Sequence, residues 1–264
     1  MGIPFGNLCA GVNINDVTHR AFTTGLVQRP SSTAATAEEA AMKPSLSDAI
    51  NIQLPYNLER LLFYLTGGNQ HDQIKDWYER LEQDDGDEEK DHENSEERGK
   101  RGTIDLSLPK LTLPSTESNN LDTWLAELQA EFRSARVTDE ELCKIMRDVL
   151  DGYGYWVDPH TGVAFAAAQQ LGYLENKPHN SSSNAVAIMA TASPCKFQKA
   201  VTTALGEEKW EEYERNHFPT RGKDLRDKEE RPPTIYIADP EKTLEDNQLV
   251  WEAKTRALIH KLGR

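Results

Sequence analysis

Leu8-Cys9-Ala10-Gly11-Val12-Asn13-Ile14-Asn15-Asp16-Val17-Thr18-His19-Arg20-Ala21-Phe22-Thr23-Thr24-Gly25 is the stretch whose reading decides the fold. Residues 8–13, apolar up to Asn13, read as a short buried strand. Asn15 offers an N-cap, a helix runs to about Thr24, and Gly25 stops it. The same pattern returns near the other end of the chain. Residues 184–190 (Asn-Ala-Val-Ala-Ile-Met-Ala) read as a strand buried on both faces. The turn Thr191-Ala192-Ser193-Pro194 then leads into a helix carrying Phe197, Val201 and Leu205. Strands buried on both faces and alternating with helices argue an α/β fold with a largely parallel sheet.

Between these ends the periodicity is mostly helical. A helix is expected from near Asn57, with Leu58, Leu61, Leu62 and Leu65 on one face, ending at Gly67-Gly68. Another runs from Asp72 to Leu81. Leu121, Leu125, Leu128 and Phe132 mark one arm of a helical hairpin. Leu142, Ile145, Met146 and Val149 mark the other, opened by the capping box Thr138…Glu141. Asp158-Pro159 opens a further helix, with Asp158 as N-cap and Pro159 at the first position, where a missing N–H costs nothing. Beyond Gly206 the chain is charged: a helix near 207–217, a loop at 221–231, a short extended piece at 234–237 and a last helix from about 241 to 262.

Charge and composition narrow the function classes. The 264 residues include 44 acidic and 30 basic ones, a net charge of −14, and only 37% are hydrophobic. Nucleic acid and anionic membrane are therefore poor partners. From Glu82 to Arg98 there are ten acidic and two basic residues, a net −8 in 17 residues. Residues 82–102 have almost no apolar side chain to offset their ordering entropy and are expected to be disordered. Residues 103–118 are expected to be an extended linker. The resulting division is 1–81 and 119–206 as α/β segments, 82–118 as insertion and linker, and 207–264 as a charged helical extension. No apolar run approaches the roughly 20 residues of a membrane helix. Three scattered cysteines without a CxxC fit reduced thiols, so a cytoplasmic or organelle-matrix (for example plastid), non-secreted protein is expected.

Chemistry-bearing side chains cluster at the ends of the expected strands, where open α/β sheets bind ligands. Thr191 and Ser193 stand at the end of one strand, with Lys196 in the first turn of the helix that follows. Asn13, Asn15 and Asp16 stand at the end of the other. His160 and Thr161 lie in the turn that opens the Asp158 helix. Simple helix capping accounts for each of these polar groups as readily as a site does. The histidines have no HxxH or HExxH spacing, so no metal is expected. No GxSxG, P-loop or complete dinucleotide fingerprint is present.

Four segments in order resemble threonine synthase, a pyridoxal-phosphate enzyme of fold type II. Ala10 to Gly25 is similar to the family's V-x-T-N-x-N-D-I-L-x-R-F-F-x-T-G. Ser47 to Phe63 (Ser-Asp-Ala-Ile-Asn-Ile-Gln-Leu-Pro-Tyr-Asn-Leu-Glu-Arg-Leu-Leu-Phe) resembles S-P-A-M-D-I-Q-V-P-x-N-F-E-R-L-L-F. Asp158 to Gly162 resembles D-P-H-T-A, and Ala190 to Phe197 resembles S-T-A-H-P-A-K-F. The departures are Asn51 for Asp, Gly162 for Ala, Ser193 for His and Cys195 for Ala. The resemblance covers about residues 1–70 and 120–206.

The resemblance implies part of a fold type II domain, similar to the tryptophan synthase β subunit: a mostly parallel sheet with helices on both faces. It implies pyridoxal 5′-phosphate as cofactor, with Thr191 against the pyridine nitrogen. The implied reaction converts O-phosphohomoserine and water to threonine and phosphate, by γ-elimination of phosphate and β-addition of water. Asn13, Asn15, Asp16, Ser193, His160 and Thr161 would line the site, and Lys196 or Arg20 would hold substrate charge. The family's Schiff-base lysine and Gly-Asn-rich phosphate loop have no counterpart, because Met1-Gly2-Ile3-Pro4 aligns with the M-G-L-P-I that follows them. The chain is thus expected to be a C-terminal portion, inactive alone, whose partner is the missing N-terminal half or a second copy. Two other readings stand beside it. One is a non-catalytic interaction module acting through the acidic segment. The other is a phospho-lyase acting on a related phosphoamino acid.

Overall fold

The computed structural model describes residues 6–28, 42–65, 68, 70–82, 103–107, 123–174, 185–226, 228 and 235–262. The acidic stretch 83–102 and most of the expected linker lie outside the described residues. Strand β1 (Leu8–Val12) and helix α1 (Val17–Thr24) form where the sequence predicts them, but β1 is not the buried strand expected: Leu8 and Cys9 are exposed and Ala10 to Val12 only half-buried. Gly25 closes α1 with φ +79°, a left-handed conformation that a side chain would oppose, and its N–H bonds Ala21 O at 3.1 Å. The N-cap position belongs to Asp16 rather than Asn15, and its side chain makes no capping bond. Asn15 is drawn away by partners described below.

Strand β2 (Leu26–Gln28) follows, then a 3₁₀ turn (Asp48–Ile50), α2 (Tyr56–Leu65) and α3 (His71–Glu82). Strand β3 (Thr103–Asp105) pairs antiparallel with β2, Val27 opposite Ile104, where the sequence suggested linker. Helix α4 (Trp124–Glu131) then gives way to β4 (Phe132–Arg136), which runs parallel to β1. This corrects the expected helical hairpin. Phe132 falls on the helical stripe of Leu125 and Leu128, yet its backbone is already extended, at φ −115° and ψ 145°. Pairing with β1 decides the conformation of these five residues over their spacing.

The register is Leu8–Phe132, Ala10–Ser134 and Gly11–Ala135. Successive side chains leave a strand on opposite faces. Ala10 and Phe132 pack with α1, α2, α3 and α4 around Trp77, Trp124 and Leu62. Ala135, one face over, packs with α5 (Asp139–Tyr153), α6 (Pro159–Gln170), α7 (Gln198–Leu205) and α8 (Glu207–Asn216) around Met146, Val163 and Val201. A small parallel sheet thus has helices on both faces and two cores. The Thr138–Glu141 capping box that opens α5 is present in full.

Gly11 brings α6 unusually close. A Cβ there would lie 2.9 Å from the Val163 carbonyl oxygen and 3.1 Å from Ala167 Cβ.

The described part of the strand expected at 184–190 does not form one. Residues 185–190 belong to neither sheet and to no helix, with Val186 42% and Met189 76% exposed. An apolar run becomes a buried strand only beside neighbours that complete its hydrogen bonds, and none of the described residues does so. Residues 207–218, expected with the charged extension, pack in the second core through Trp210, Tyr213 and Phe218. The chain divides into one compact unit ending at Phe218 and another from Pro219 to Arg264. The latter holds α9 (Thr220–Arg226), where the sequence suggested a loop, and α10 (Leu244–Leu262). No described helix is long and apolar enough to cross a membrane.

Candidate functional site

Asn13 leaves the end of β1 and is 1% exposed. Its Nδ2 donates to Asn51 Oδ1 (2.7 Å), Ser45 Oγ (2.9 Å) and Ser47 O (3.2 Å), and its Oδ1 accepts from Asn15 N (2.9 Å). Asn15 Nδ2 donates to Asn51 Oδ1 (3.0 Å) and Lys43 O (2.8 Å). The two asparagines therefore staple residues 43–51 to the strand end. The carbonyl oxygen of Asn51 accepts from three donors: Asn13, Asn15 and Ser45 Oγ (2.6 Å). A carboxylate oxygen would fill the same place, which accounts for the Asn-for-Asp departure without loss of the network.

Asp16 and Arg20 stand apart from this network. Arg20 Nε bonds Asp16 Oδ1 at 3.0 Å, and Arg136 Nε approaches Asp16 Oδ2 at 3.9 Å. Arg20 is thus already paired.

A second constellation sits at the start of α6. Asp158 is 1% exposed, and it caps the helix by accepting from His160 N (2.9 Å) and Thr161 N (3.3 Å). It also accepts from His160 Nδ1 (3.0 Å) and from the Thr161 hydroxyl. Burial alone would raise the Asp158 pKa, but the bonds from His160 and Thr161 outweigh it and hold the carboxyl below its ordinary value. His160 Nε2 accepts from Ala49 N at 3.1 Å, so the hydrogen sits on Nδ1. The His160 ring packs on Phe197 at 4.6 Å between centroids.

Thr161 Oγ1 accepts from Thr191 N at 3.1 Å. Thr191 is exposed, and its hydroxyl has no hydrogen bond to another described residue. Ser193 precedes a 3₁₀ turn (Pro194–Lys196) without capping it and lies 3.5 Å from the Tyr213 hydroxyl. Burial raises the Tyr213 pKa, while its contact with Ser193 works the other way. Lys196 and Lys199 line an open cleft of about 590 Å³, shared with Ser45, Asp48, Phe197 and Thr202.

The structure thus joins Asn13, Asn15, His160, Thr161, Thr191 and Lys196 through shared neighbours and leaves Asp16 aside. Sequence reasoning missed Ser45, Asn51 as a shared acceptor, and the hub role of Asp158. Ser45 lies outside every motif the sequence offers. Among the described residues no group of three or more His, Cys, Asp or Glu could hold a metal.

A family model described as "Threonine synthase, C-terminal" matches residues 161–243. The chain resembles the C-terminal portion of threonine synthase. Threonine synthase from Saccharomyces cerevisiae is 27% identical over 253 residues, covering 91% of this chain and 41% of the yeast protein. That from Pseudomonas aeruginosa is 28% identical, covering 77% of this chain and 33% of the bacterial one. A mouse protein named threonine synthase-like 2 is 26% identical over 77% of this chain. The crystal structure of the yeast threonine synthase matches 98% of this chain and 43% of its own, at 23% identity and a TM-score of 0.64. A PLP-bound threonine synthase from Brucella melitensis matches 87% of this chain and 37% of its own, at 23% identity and 0.58. The fold is therefore the fold type II of the threonine synthases. The chain spans about a third to two-fifths of the length of these relatives.

The fit to pyridoxal phosphate is partial. The Thr191 N–H is held by Thr161 and its hydroxyl has no hydrogen bond to another described residue, as a partner for a pyridine nitrogen would need. The described lysines are exposed, apart from half-buried Lys223, so none sits in the enclosed setting of a covalent amine.

Proposed function

We propose that this chain supplies the ring-side wall of a threonine synthase-like active site, which converts O-phosphohomoserine and water to threonine and phosphate. The observation that carries it is the Thr161–Thr191 bond. It holds the main chain of the residue that the resemblance sets against the pyridine nitrogen, while its hydroxyl bonds no other described residue. When bound, pyridoxal phosphate supplies the electron sink. The Thr191 hydroxyl, being neutral, would face the ring nitrogen without the charge a carboxylate would impose. Asn13 and Asn15 hold the 43–51 segment, and Lys196 with Lys199 offers positive charge in the cleft for a phosphate-bearing substrate. Asp16 neutralises Arg20, which leaves the lysines as the substrate-side cations. The covalent amine and the phosphate cradle belong, on this reading, to the portion of the relatives to which this chain does not align.

The test fuses that preceding portion of the yeast enzyme to this chain. The fusion is expected to release phosphate from O-phosphohomoserine and form threonine in a cofactor-dependent way. Thr191→Ala is expected to reduce the rate at least about tenfold. Phosphate release without threonine would favour a phospho-lyase. A folded, cofactor-loaded fusion that releases no phosphate would overturn the proposal. The 264-residue chain alone is expected to show no borohydride-fixed adduct with the cofactor on a single lysine.

A further inference from the structure

We propose that Asp158 is a positioning residue that sets two loops of the site at once, each through a side chain that reads a main-chain N–H. The inference rests on the proposed function for its purpose, but its geometry stands by itself.

A hydroxyl has one hydrogen to give. The Thr161 hydroxyl spends its hydrogen on Asp158, so its oxygen can face Thr191 N only as an acceptor. An imidazole with its hydrogen on Nδ1 must accept at Nε2. His160 gives Nδ1–H to Asp158 and accepts from Ala49 N. The buried carboxylate therefore fixes the polarity of both arms. One arm ends on the segment that carries Thr191, the other on the 3₁₀ turn beside the Lys196 cleft. Thr191 follows a stretch that little else among the described residues holds, whereas the segment of Ala49 is also stapled by Asn13 and Asn15. Residues 185–190 join neither sheet, and Ala49 and Thr191 are both exposed.

His160 is thus a positioning residue here, with both ring nitrogens occupied inside the fold. An acid–base role would need one of them free to face substrate. Phe197, packed on the same ring, ties the His160 arm to the wall of the cleft.

The two arms can be separated by amide hydrogen exchange on the 264-residue chain, read residue by residue by NMR. Thr161→Val keeps the shape of the side chain and removes the acceptor. The Thr191 amide is expected to exchange about tenfold faster, with the Ala49 amide unchanged. Thr161→Ser is expected to restore protection at Thr191. His160→Phe is expected to produce the opposite pattern, fast at Ala49 and unchanged at Thr191. Asp158→Asn is expected to loosen both.

Unchanged Thr191 exchange in Thr161→Val, or equal loosening of both amides by either single-arm variant, would overturn the proposal. Should Asp158→Asn fail to fold, the Val, Ser and Phe variants still decide. A crossed pattern together with an inactive fusion would leave this inference standing and sink the proposed function. The reverse pair of results would sink only the inference.

Discussion

Asn13 has every hydrogen-bonding group of its amide engaged or shielded, and it is as buried as the apolar core around it. Asn13→Ala would strand the Asn15 N–H and remove donors from Ser45, Ser47 and Asn51 together. A loss of about 2–3 kcal/mol is expected from urea unfolding. A loss below about 0.5 kcal/mol would mean that the 43–51 segment is held by something else.

Asp158 gives a pH-dependent counterpart. Its folded pKa lies below the unfolded value of about 3.9, so the folded state binds that proton less tightly. The stability it contributes is present above that value and fades as pH falls through the folded pKa. Asp158→Asn should therefore be less stable than the parent near neutrality, and the gap should begin to narrow only on acidification below the unfolded value of about 3.9. Unfolding midpoints recorded across that range check it, and a constant gap would contradict it.

Helix α6 lies against β1 because both contact faces are small. At Gly11 an added methyl meets a backbone oxygen, which has nowhere to go. At Gly162 it meets Leu142 Cδ1 at 2.6 Å and Met146 Cγ at 3.3 Å, side-chain atoms that can shift. Gly11→Ala is expected to cost about 1–3 kcal/mol. Gly162→Ala should cost less, and Leu142→Val in the same chain should relieve part of that cost. A double-mutant cycle should give about 1 kcal/mol of favourable coupling, and additivity within about 0.3 kcal/mol would refute the clash.

Element identity was legible where the local signals agreed. The Asp158-Pro159 start of α6, the Thr138–Glu141 box and Gly25 each name a terminus by chemistry that acts within four residues. It was not legible where pairing decided. Phe132 to Arg136 carries a helical stripe and becomes a strand, because β1 offers it a ladder. Residues 185–190 carry strand composition and stay unpaired, because no described neighbour offers one. The same lesson holds for the site. Thr191 and Asn13 stand in recognisable motifs, whereas Ser45 and the double reach of Asp158 depend on contacts separated by about 30 residues or more in sequence.

At the scale of the whole molecule, the described residues of both cores all lie in the first compact unit. A chain ending at Phe218 is expected to unfold cooperatively at the same urea midpoint as the parent, within about 0.5 kcal/mol. A large loss would show that the second unit supports the first. The exposure of the 185–190 segment is testable in the same assay. Met189→Glu is expected to change stability by less than about 0.5 kcal/mol, whereas a side chain buried in a doubly covered strand would cost several.

The two arms of Asp158 have a consequence for how this sequence can drift. Both acceptors grip a main-chain N–H, which every residue but one possesses. Positions 49 and 191 are therefore free, as anchor points, to accept almost any side chain, and Thr191 is constrained only by what its hydroxyl does. Proline alone is barred from both places, since it brings no N–H to be held.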